Sequence, residues 1–340
     1  MEEREQAQGA PPQPPLPEKQ LQRAEQREEE APAERLLREW AASGRACLDV
    51  RTCLEFAEVR LAGSLNIERG ALSARLFELS AAHEPLTVVC GSEDAAQGVR
   101  AWLEGYGYAR VSTVVAGEAL WHAAGRSGVK VEHGLPLPAP APVLFRPSPT
   151  LAKWLPRIEA LLGGAQSSSS ALDVGSGAGR DCVFLASRGW RVTGVEMFSK
   201  GLERMHALAQ SNGCEARVSG CVAEVRSDGS VVGDASFLAR RYTLVLGVRF
   251  LVRGFLARMA ELVEPGGFIV YETFAKESEG LGGIPRAARL LSSLDLEMAF
   301  PTAAFDWLAS ELRDSGEGRQ LRAFVARRRG GLNTASTDDL

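Results

Sequence analysis

The sequence of 340 residues contains no apolar run that approaches the length of a membrane-spanning helix. Its six cysteines form no C-x-x-C pair, and its four histidines are scattered along the chain. These absences argue against a structural zinc site and indicate a reducing compartment. The first residues, Met1–Glu5, lack the basic start and apolar core of a signal peptide. We therefore predict a cytoplasmic protein that neither spans a membrane nor holds a metal.

The sequence also lacks a large excess of charge of either sign, because the formal net charge is only −4. A field this weak steers the molecule toward neither nucleic acid nor an anionic membrane, so we expect neither as a partner. A hydrophobic content of 45% is ordinary for a globular protein, and the length allows about two domains. The sequence leaves the oligomeric state open.

Composition changes along the chain in a way that predicts two domains. Residues 1–33 are rich in Glu, Gln, Pro and Arg and predict a disordered tail. Short strand and helix patterns alternate over residues 34–123 and again over 150–329, which predicts an α/β protein with two parallel-sheet domains. Residues 124–149 are proline-rich and predict a linker, and residues 330–340 predict a flexible tail.

One stretch, Leu172–Asp181, has the pattern of a strand end, a glycine turn and a helix start. Glycines let the backbone turn sharply and approach a ligand, and the first amides of the helix attract an anion. The next strand ends in an acid about twenty residues later, where a ribose would present its hydroxyls. The dinucleotide pattern G-x-G-x-x-G is not met, because an arginine stands at its third glycine. The residues predicted to surround a cofactor are Asp173, Gly175, Ser176, Gly177, Gly179, Arg180, Asp181 and Glu196.

The pattern D-x-G-x-G-x-G, together with the turn Pro265–Gly267, resembles the class I methyltransferases that use S-adenosylmethionine (SAM). Within that class, residues 146–329 look like the small tellurite-resistance-type enzymes. The resemblance implies a Rossmann-like fold, SAM as cofactor and Glu196 as the acceptor of ribose hydrogen bonds. It also offers Glu224 for the acidic position beside adenine, although Glu224 is equally consistent with a solvent-facing acid at a strand end.

The methyl acceptor implied by this resemblance is a small molecule. Four residues at predicted strand ends, where α/β sheets bind ligands, are the substrate candidates. A soft nucleophile such as a thiolate needs no general base, so positioning and desolvation can supply much of the rate. The candidates are Arg249, Tyr271, Glu272 and Phe274.

The first domain resembles a rhodanese. The resemblance rests on D-V-R at Asp49–Arg51, on R-L-A-G-S-L-N-I at Arg60–Ile67 and on Cys90 at a strand end. It implies that Cys90 carries a persulfide in a loop that we expect to span Cys90–Ala96. Glu93 and Ala95 stand where that loop has a glycine and an arginine. Carboxylates beside a thiol raise its pKa and repel thiosulfate, so we expect this module to be inactive toward thiosulfate.

Three functions follow from these patterns. The first is a SAM-dependent methyltransferase fused to a rhodanese-like module that we expect to be inactive. The second is a sulfurtransferase that uses a persulfide on Cys90. The third is a scaffold that binds SAM without turnover.

Overall fold

The computed structural model describes residues 32–135, 142–163, 169–278, 290–315 and 318–330. Almost all of the two predicted tails lies outside these ranges.

The first unit is built on four parallel strands in the order β3-β1-β4-β5. A separate antiparallel pair joins β2 to β6. Its elements are α1 (Pro32–Ser43), β1 (Cys47–Asp49), α2 (Cys53–Glu58), β2 (Val59–Leu61), β3 (Ser64–Asn66), α3 (Leu72–Arg75), β4 (Leu86–Cys90), α4 (Glu93–Gly105), β5 (Val111–Val115), α5 (Glu118–Arg126) and β6 (Val131–His133).

The prediction of a long loop after Cys90 is wrong. Only Gly91 and Ser92 separate β4 from α4, because the Ser92 hydroxyl accepts a hydrogen bond from the Ala95 amide and caps the helix. Two acids in the first turn, Glu93 and Asp94, add a favourable interaction with the helix dipole. The second half of the predicted loop, Glu93–Ala96, is therefore the first turn of a helix.

The predicted linker over 124–149 also begins too early. Helix α5 continues to Arg126, and β6 pairs with β2, joining Val131 to Leu61 and His133 to Val59. Residues 124–133 are thus part of the first unit. The proline-rich centre of the predicted linker, 136–141, lies outside the described residues.

The second unit is an eight-stranded sheet in the order β10-β9-β8-β7-β11-β12-β14-β13. Strands β9, β8, β7, β11 and β12 are parallel, whereas β10 and β14 run against their neighbours. Its elements are α6 (Pro149–Leu161), β7 (Ser170–Val174), α7 (Arg180–Ser187), β8 (Arg191–Glu196), α8 (Ser199–Ser211), β9 (Val218–Val225), β10 (Val231–Gly233), β11 (Tyr242–Val248), α9 (Arg253–Leu262), β12 (Val263–Phe274), α10 (Ser293–Ala299), β13 (Phe305–Asp314) and β14 (Gln320–Arg328).

Strand order reverses beside β7. From β7 the chain steps outward through β8 and β9, and then returns to the other side of β7 to form β11 and β12. Such a reversal opens a crevice at the carboxyl ends of the strands, which is where open α/β sheets bind ligands. This arrangement agrees with the predicted Rossmann-like fold and places the glycine turn after β7 at the crevice.

The two units are joined tightly at Leu144 and Phe145. Leu144 packs in the core of the first unit, and Phe145 packs in the core of the second. Both side chains are buried. Among the described residues no helix has both the length and the apolar character needed to cross a membrane.

Candidate functional site

The glycine turn is held against β8 by its backbone. The amides of Gly175 and Ser176 both donate to the Val195 carbonyl, at 2.8 and 3.0 Å. Gly177 has φ +56°, and a Cβ added to it would meet nothing within 4 Å. Gly179 has φ +77°, but a Cβ there would lie 2.2 Å from Cγ of Met205. Gly177 therefore faces open space, whereas Gly179 allows α8 to pack closely under the turn.

We expect Gly179→Ala to lower the free energy of unfolding by about 2–4 kcal/mol, since it adds a clash with Met205 to the strain of a left-handed residue. Gly107→Ala is the matched control, because Gly107 has φ +87° and a Cβ added there would meet no atom within 4 Å. Urea denaturation of both variants checks the prediction. Equal losses for the two would show that the Met205 contact contributes nothing.

Glu196 closes one side of the turn. Its carboxylate accepts hydrogen bonds from the Gly177 and Phe198 amides, each at 3.1 Å. Gly201 gives this side chain room, because a Cβ there would come within 2.7 Å of Glu196 Cγ. The acid predicted from the sequence is thus in contact with the glycine turn and oriented by two amides.

A second acid, Asp234, lies at the carboxyl edge of the sheet and was not predicted from the sequence. The Asp234 amide donates to the Val222 carbonyl at 2.9 Å, and Val222 pairs with Glu196 across β9 and β8. Hydrogen bonds from Ser236 lower the pKa of the Asp234 carboxyl. Glu224, the residue predicted for the adenine position, lies two residues further along β9, paired with Val232 in the β9–β10 hairpin. The hairpin therefore places Glu224 beyond the carboxyl edge of the parallel sheet, and the chain comes back to that edge at Asp234.

On the other side of the turn lies a cavity of about 830 Å³. This volume is in the upper part of the range of small-molecule sites. The carboxyl ends of β7, β11 and β12 form its floor, and both units contribute to its walls. The ionisable residues lining it are His83, Glu84, Arg146, Asp173, Arg180, Asp181, Arg249, Glu272 and Arg313.

Two buried carboxylates face this cavity. Burial raises the pKa of Asp173 to about 7, and the neighbouring Asp181 contributes to this increase. Burial also raises the pKa of Asp181 to about 6, against a hydrogen bond from the Ser148 amide at 2.7 Å. Asp173 accepts a hydrogen bond from the Cys182 thiol at 3.3 Å. A pair of desolvated acids of this kind favours a cationic ligand that can compensate their charge.

A third carboxylate, Glu272, is buried in the cavity floor and is already compensated. It accepts a hydrogen bond from the Thr150 hydroxyl and forms an ion pair with Arg313 at 3.0 Å. The Glu272 carbonyl accepts from the Arg249 amide at 2.7 Å. This network fixes the end of β12 relative to β11 and α6.

The structure separates the four substrate candidates into two pairs. Arg249 and Glu272 line the cavity, whereas Tyr271 and Phe274 are not among its lining residues. Tyr271 is buried, and its hydroxyl donates to the Phe250 carbonyl. The Arg249 guanidinium lies 4.6 Å from the centre of the Phe274 ring. Arg249 has φ +55°, which is left-handed backbone in a non-glycine residue, and such conformations are concentrated at functional sites.

Arg180, a predicted cofactor residue, contacts the first unit. Its guanidinium donates to the carbonyls of Phe77 and Leu79 at 3.1 and 3.0 Å. The first turn of α7 therefore follows the glycine turn directly and also contacts the first unit.

Cys90 is not among the residues that line this cavity. Its side chain is buried, and burial together with the Asp49 carboxylate raises the pKa of the thiol to about 11. A buried thiol with a raised pKa is a poor nucleophile. Within the described part of the chain, no group of three or more His, Cys, Asp and Glu side chains is arranged to hold a metal ion.

Comparison with known proteins finds sequence similarity to a protein of unknown activity. No protein-family profile matches the chain. An uncharacterised protein of Schizosaccharomyces pombe, UNK4.09, is 28% identical in an alignment of 271 positions, and the match covers 68% of this chain and 77% of the relative.

Solved structures similar to about half of the chain include methyltransferases. Magnesium protoporphyrin IX methyltransferase from Synechocystis, with bound S-adenosylhomocysteine, is 16% identical over 52% of this chain and 82% of its own, with a TM-score of 0.40. The 1,6-didemethyltoxoflavin N1-methyltransferase of Burkholderia thailandensis is 23% identical over 53% of this chain and 79% of its own, with a TM-score of 0.38. At these values the similarity is not evidence of shared chemistry, and the function proposed below rests on the residues of the site.

Proposed function

We propose that the second unit is a SAM-dependent methyltransferase that acts on a small molecule, with a thiol or another soft nucleophile as acceptor. One observation carries the proposal: a glycine turn at the switch point has the Glu196 carboxylate on one side and a cavity with two buried acids on the other. Ribose hydroxyls match an oriented carboxylate, and the ammonium and sulfonium charges of SAM match Asp173 and Asp181. The residues present therefore fit the cofactor.

When bound, SAM supplies an electrophilic methyl group, which a thiolate accepts through a new C–S bond while the bonding pair stays on the departing sulfur. The protein's part is positioning and electrostatics. The open face of Gly177 admits the cofactor, Glu196 orients it, and Asp173 and Asp181 stabilise its positive charge. On the adenine side, we propose Asp234 in place of Glu224, because Asp234 is level with Glu196 at the carboxyl edge of the sheet, with Val222 of β9 between them.

Titration of SAM by calorimetry tests the proposal, with Gly177→Ala as the diagnostic variant. A methyl group at Gly177 meets no protein atom, so it should leave the fold intact and weaken SAM binding about tenfold or more by occupying ligand space. Gly128→Ala is the control, since Gly128 is also left-handed (φ +71°) with an open Cβ position. Folded wild-type protein that does not bind SAM would refute the proposal.

Assays on the same protein distinguish the proposed function from the other two. A scaffold would bind SAM but transfer no methyl group to thiols. A sulfurtransferase requires a reactive thiolate at Cys90, and the buried thiol with its raised pKa does not provide one. We infer that the first unit has a rhodanese-like fold without rhodanese chemistry.

A further inference from the structure

Residues 76–84 of the first unit lie at the cavity of the second. Phe77, Ala81, His83 and Glu84 all contribute to its lining. Ala152, Phe184 and Val248 of the second unit line the same cavity, and most of the cavity's lining surface is carbon.

This segment, which we call the wall, is anchored from the first unit. Leu79 is fully buried in that unit's core, and the Tyr108 hydroxyl donates to the Ser80 carbonyl at 3.0 Å. Glu84 forms an ion pair with Arg45 at 3.0 Å. These contacts fix both the centre and the end of the wall.

The second unit holds the same segment from the opposite side. Arg180 donates to the carbonyls of Phe77 and Leu79, and the Arg204 guanidinium lies 5.6 Å from the centre of the Phe77 ring. Both arginines belong to helices that pack beneath the glycine turn, α7 and α8. A backbone held from both sides keeps its side chains in fixed positions, as a selective binding site requires.

We propose that the wall is the acceptor-binding surface of the methyltransferase site and selects apolar acceptors, with Phe77 and Ala81 as its specificity-determining residues. The inference rests on the proposed function and gives the first unit a role in it. Two of the charged groups that line the cavity, Glu272 and Arg313, are paired with each other, so an apolar body packed against them leaves neither charge without its partner. Thiophenol should therefore be a better acceptor than hydrosulfide.

Ala81→Trp tests the proposal by filling the cavity from the wall. We expect kcat/KM for thiophenol to fall about tenfold or more relative to hydrosulfide, because the larger acceptor needs the occupied space. The Kd for SAM should stay within about twofold of wild type, since no cofactor contact is changed. Ala74→Trp is the control: Ala74 is exposed and lines only a neighbouring space of about 400 Å³, whereas Ala81 lines both that space and the 830 Å³ cavity.

The outcomes separate this inference from the function on which it rests. Wild-type protein that binds no SAM refutes both. If SAM binds but neither thiol is methylated, thiophenol is titrated into the complex with S-adenosylhomocysteine, where loss of binding in Ala81→Trp alone supports the wall. Equal effects of Ala81→Trp on both thiols, no effect on either, or no thiophenol binding to wild type would overturn the inference and leave the cofactor site standing.

Discussion

Glu196→Ala should abolish most SAM binding, raising Kd about 100-fold or more. The carboxylate is positioned by two amides at 3.1 Å, so it presents its remaining lone pairs in a fixed direction. Each hydrogen bond from a ribose hydroxyl to a charged group contributes about 1.5–3 kcal/mol, and two such bonds account for the expected loss. Calorimetric titration of SAM measures it directly.

Two companion variants make this result specific. Glu224→Ala removes an acid of the same type from the neighbouring hairpin and should leave Kd within about twofold of wild type. Glu196→Gln keeps one acceptor oxygen for the turn and should give an intermediate Kd. If Glu224→Ala weakened binding as much as Glu196→Ala, the ribose assignment would be wrong, because two residues on different strand positions cannot both hold the same hydroxyls.

SAM affinity should also fall about tenfold as the pH is lowered from about 7.5 to about 5.5, because protons then compete with the ligand for Asp173 and Asp181. In the ligand-free protein the pKa values of these acids are raised to about 7 and about 6, chiefly by burial. A bound cation stabilises their ionised forms, so binding must release protons near pH 6.5. Protonation of the ligand's own amino group over this interval would act in the opposite direction.

Proton release is measured by titrating SAM in buffers of different ionisation enthalpy. Asp181→Asn should reduce the number of protons released, whereas Asp306→Asn, which is exposed at the start of β13, should not change it. Unchanged release in Asp181→Asn, together with a flat affinity profile in wild type, would show that these carboxylates do not meet the cofactor.

The same shifts have an effect of opposite sign on the stability of the ligand-free protein. The folded-state pKa of both acids lies above the unfolded value, so their contribution is most favourable at low pH and is lost as the pH rises through about 6 to 7. SAM compensates these charges when they are ionised. The rise in Tm caused by SAM should therefore be larger at about pH 7.5 than at about pH 5.5.

Local patterns were sufficient to predict the glycine turn and the acid that contacts it. The spacing of Gly175, Gly177 and Gly179 and the acid at the end of the next strand are encoded within about twenty residues, so the sequence alone indicated where they would meet. The alternation of strands and helices likewise predicted the parallel sheet. The cytoplasmic location remains a prediction from the sequence.

Long-range contacts account for what the sequence could not indicate. The partners of Glu272 are 122 and 41 residues away at Thr150 and Arg313, and no local pattern links them. Asp234 was missed because the β9–β10 hairpin separates it in sequence from Val222, the residue it lies next to in the structure. The wall could not be predicted either, since it depends on contacts between two units whose sequence patterns are independent of each other.

Leu144 and Phe145 give these contacts a thermodynamic meaning. These two residues are adjacent in the chain but are buried in the cores of different units. Unfolding of one core therefore displaces a residue bonded directly to a buried residue of the other core. The usual picture of a fusion, two independent modules on a flexible tether, does not apply to a connection of a single peptide bond between two cores. We therefore expect the two units to unfold together, and the 830 Å³ cavity, which both units line, to be lost when either one unfolds.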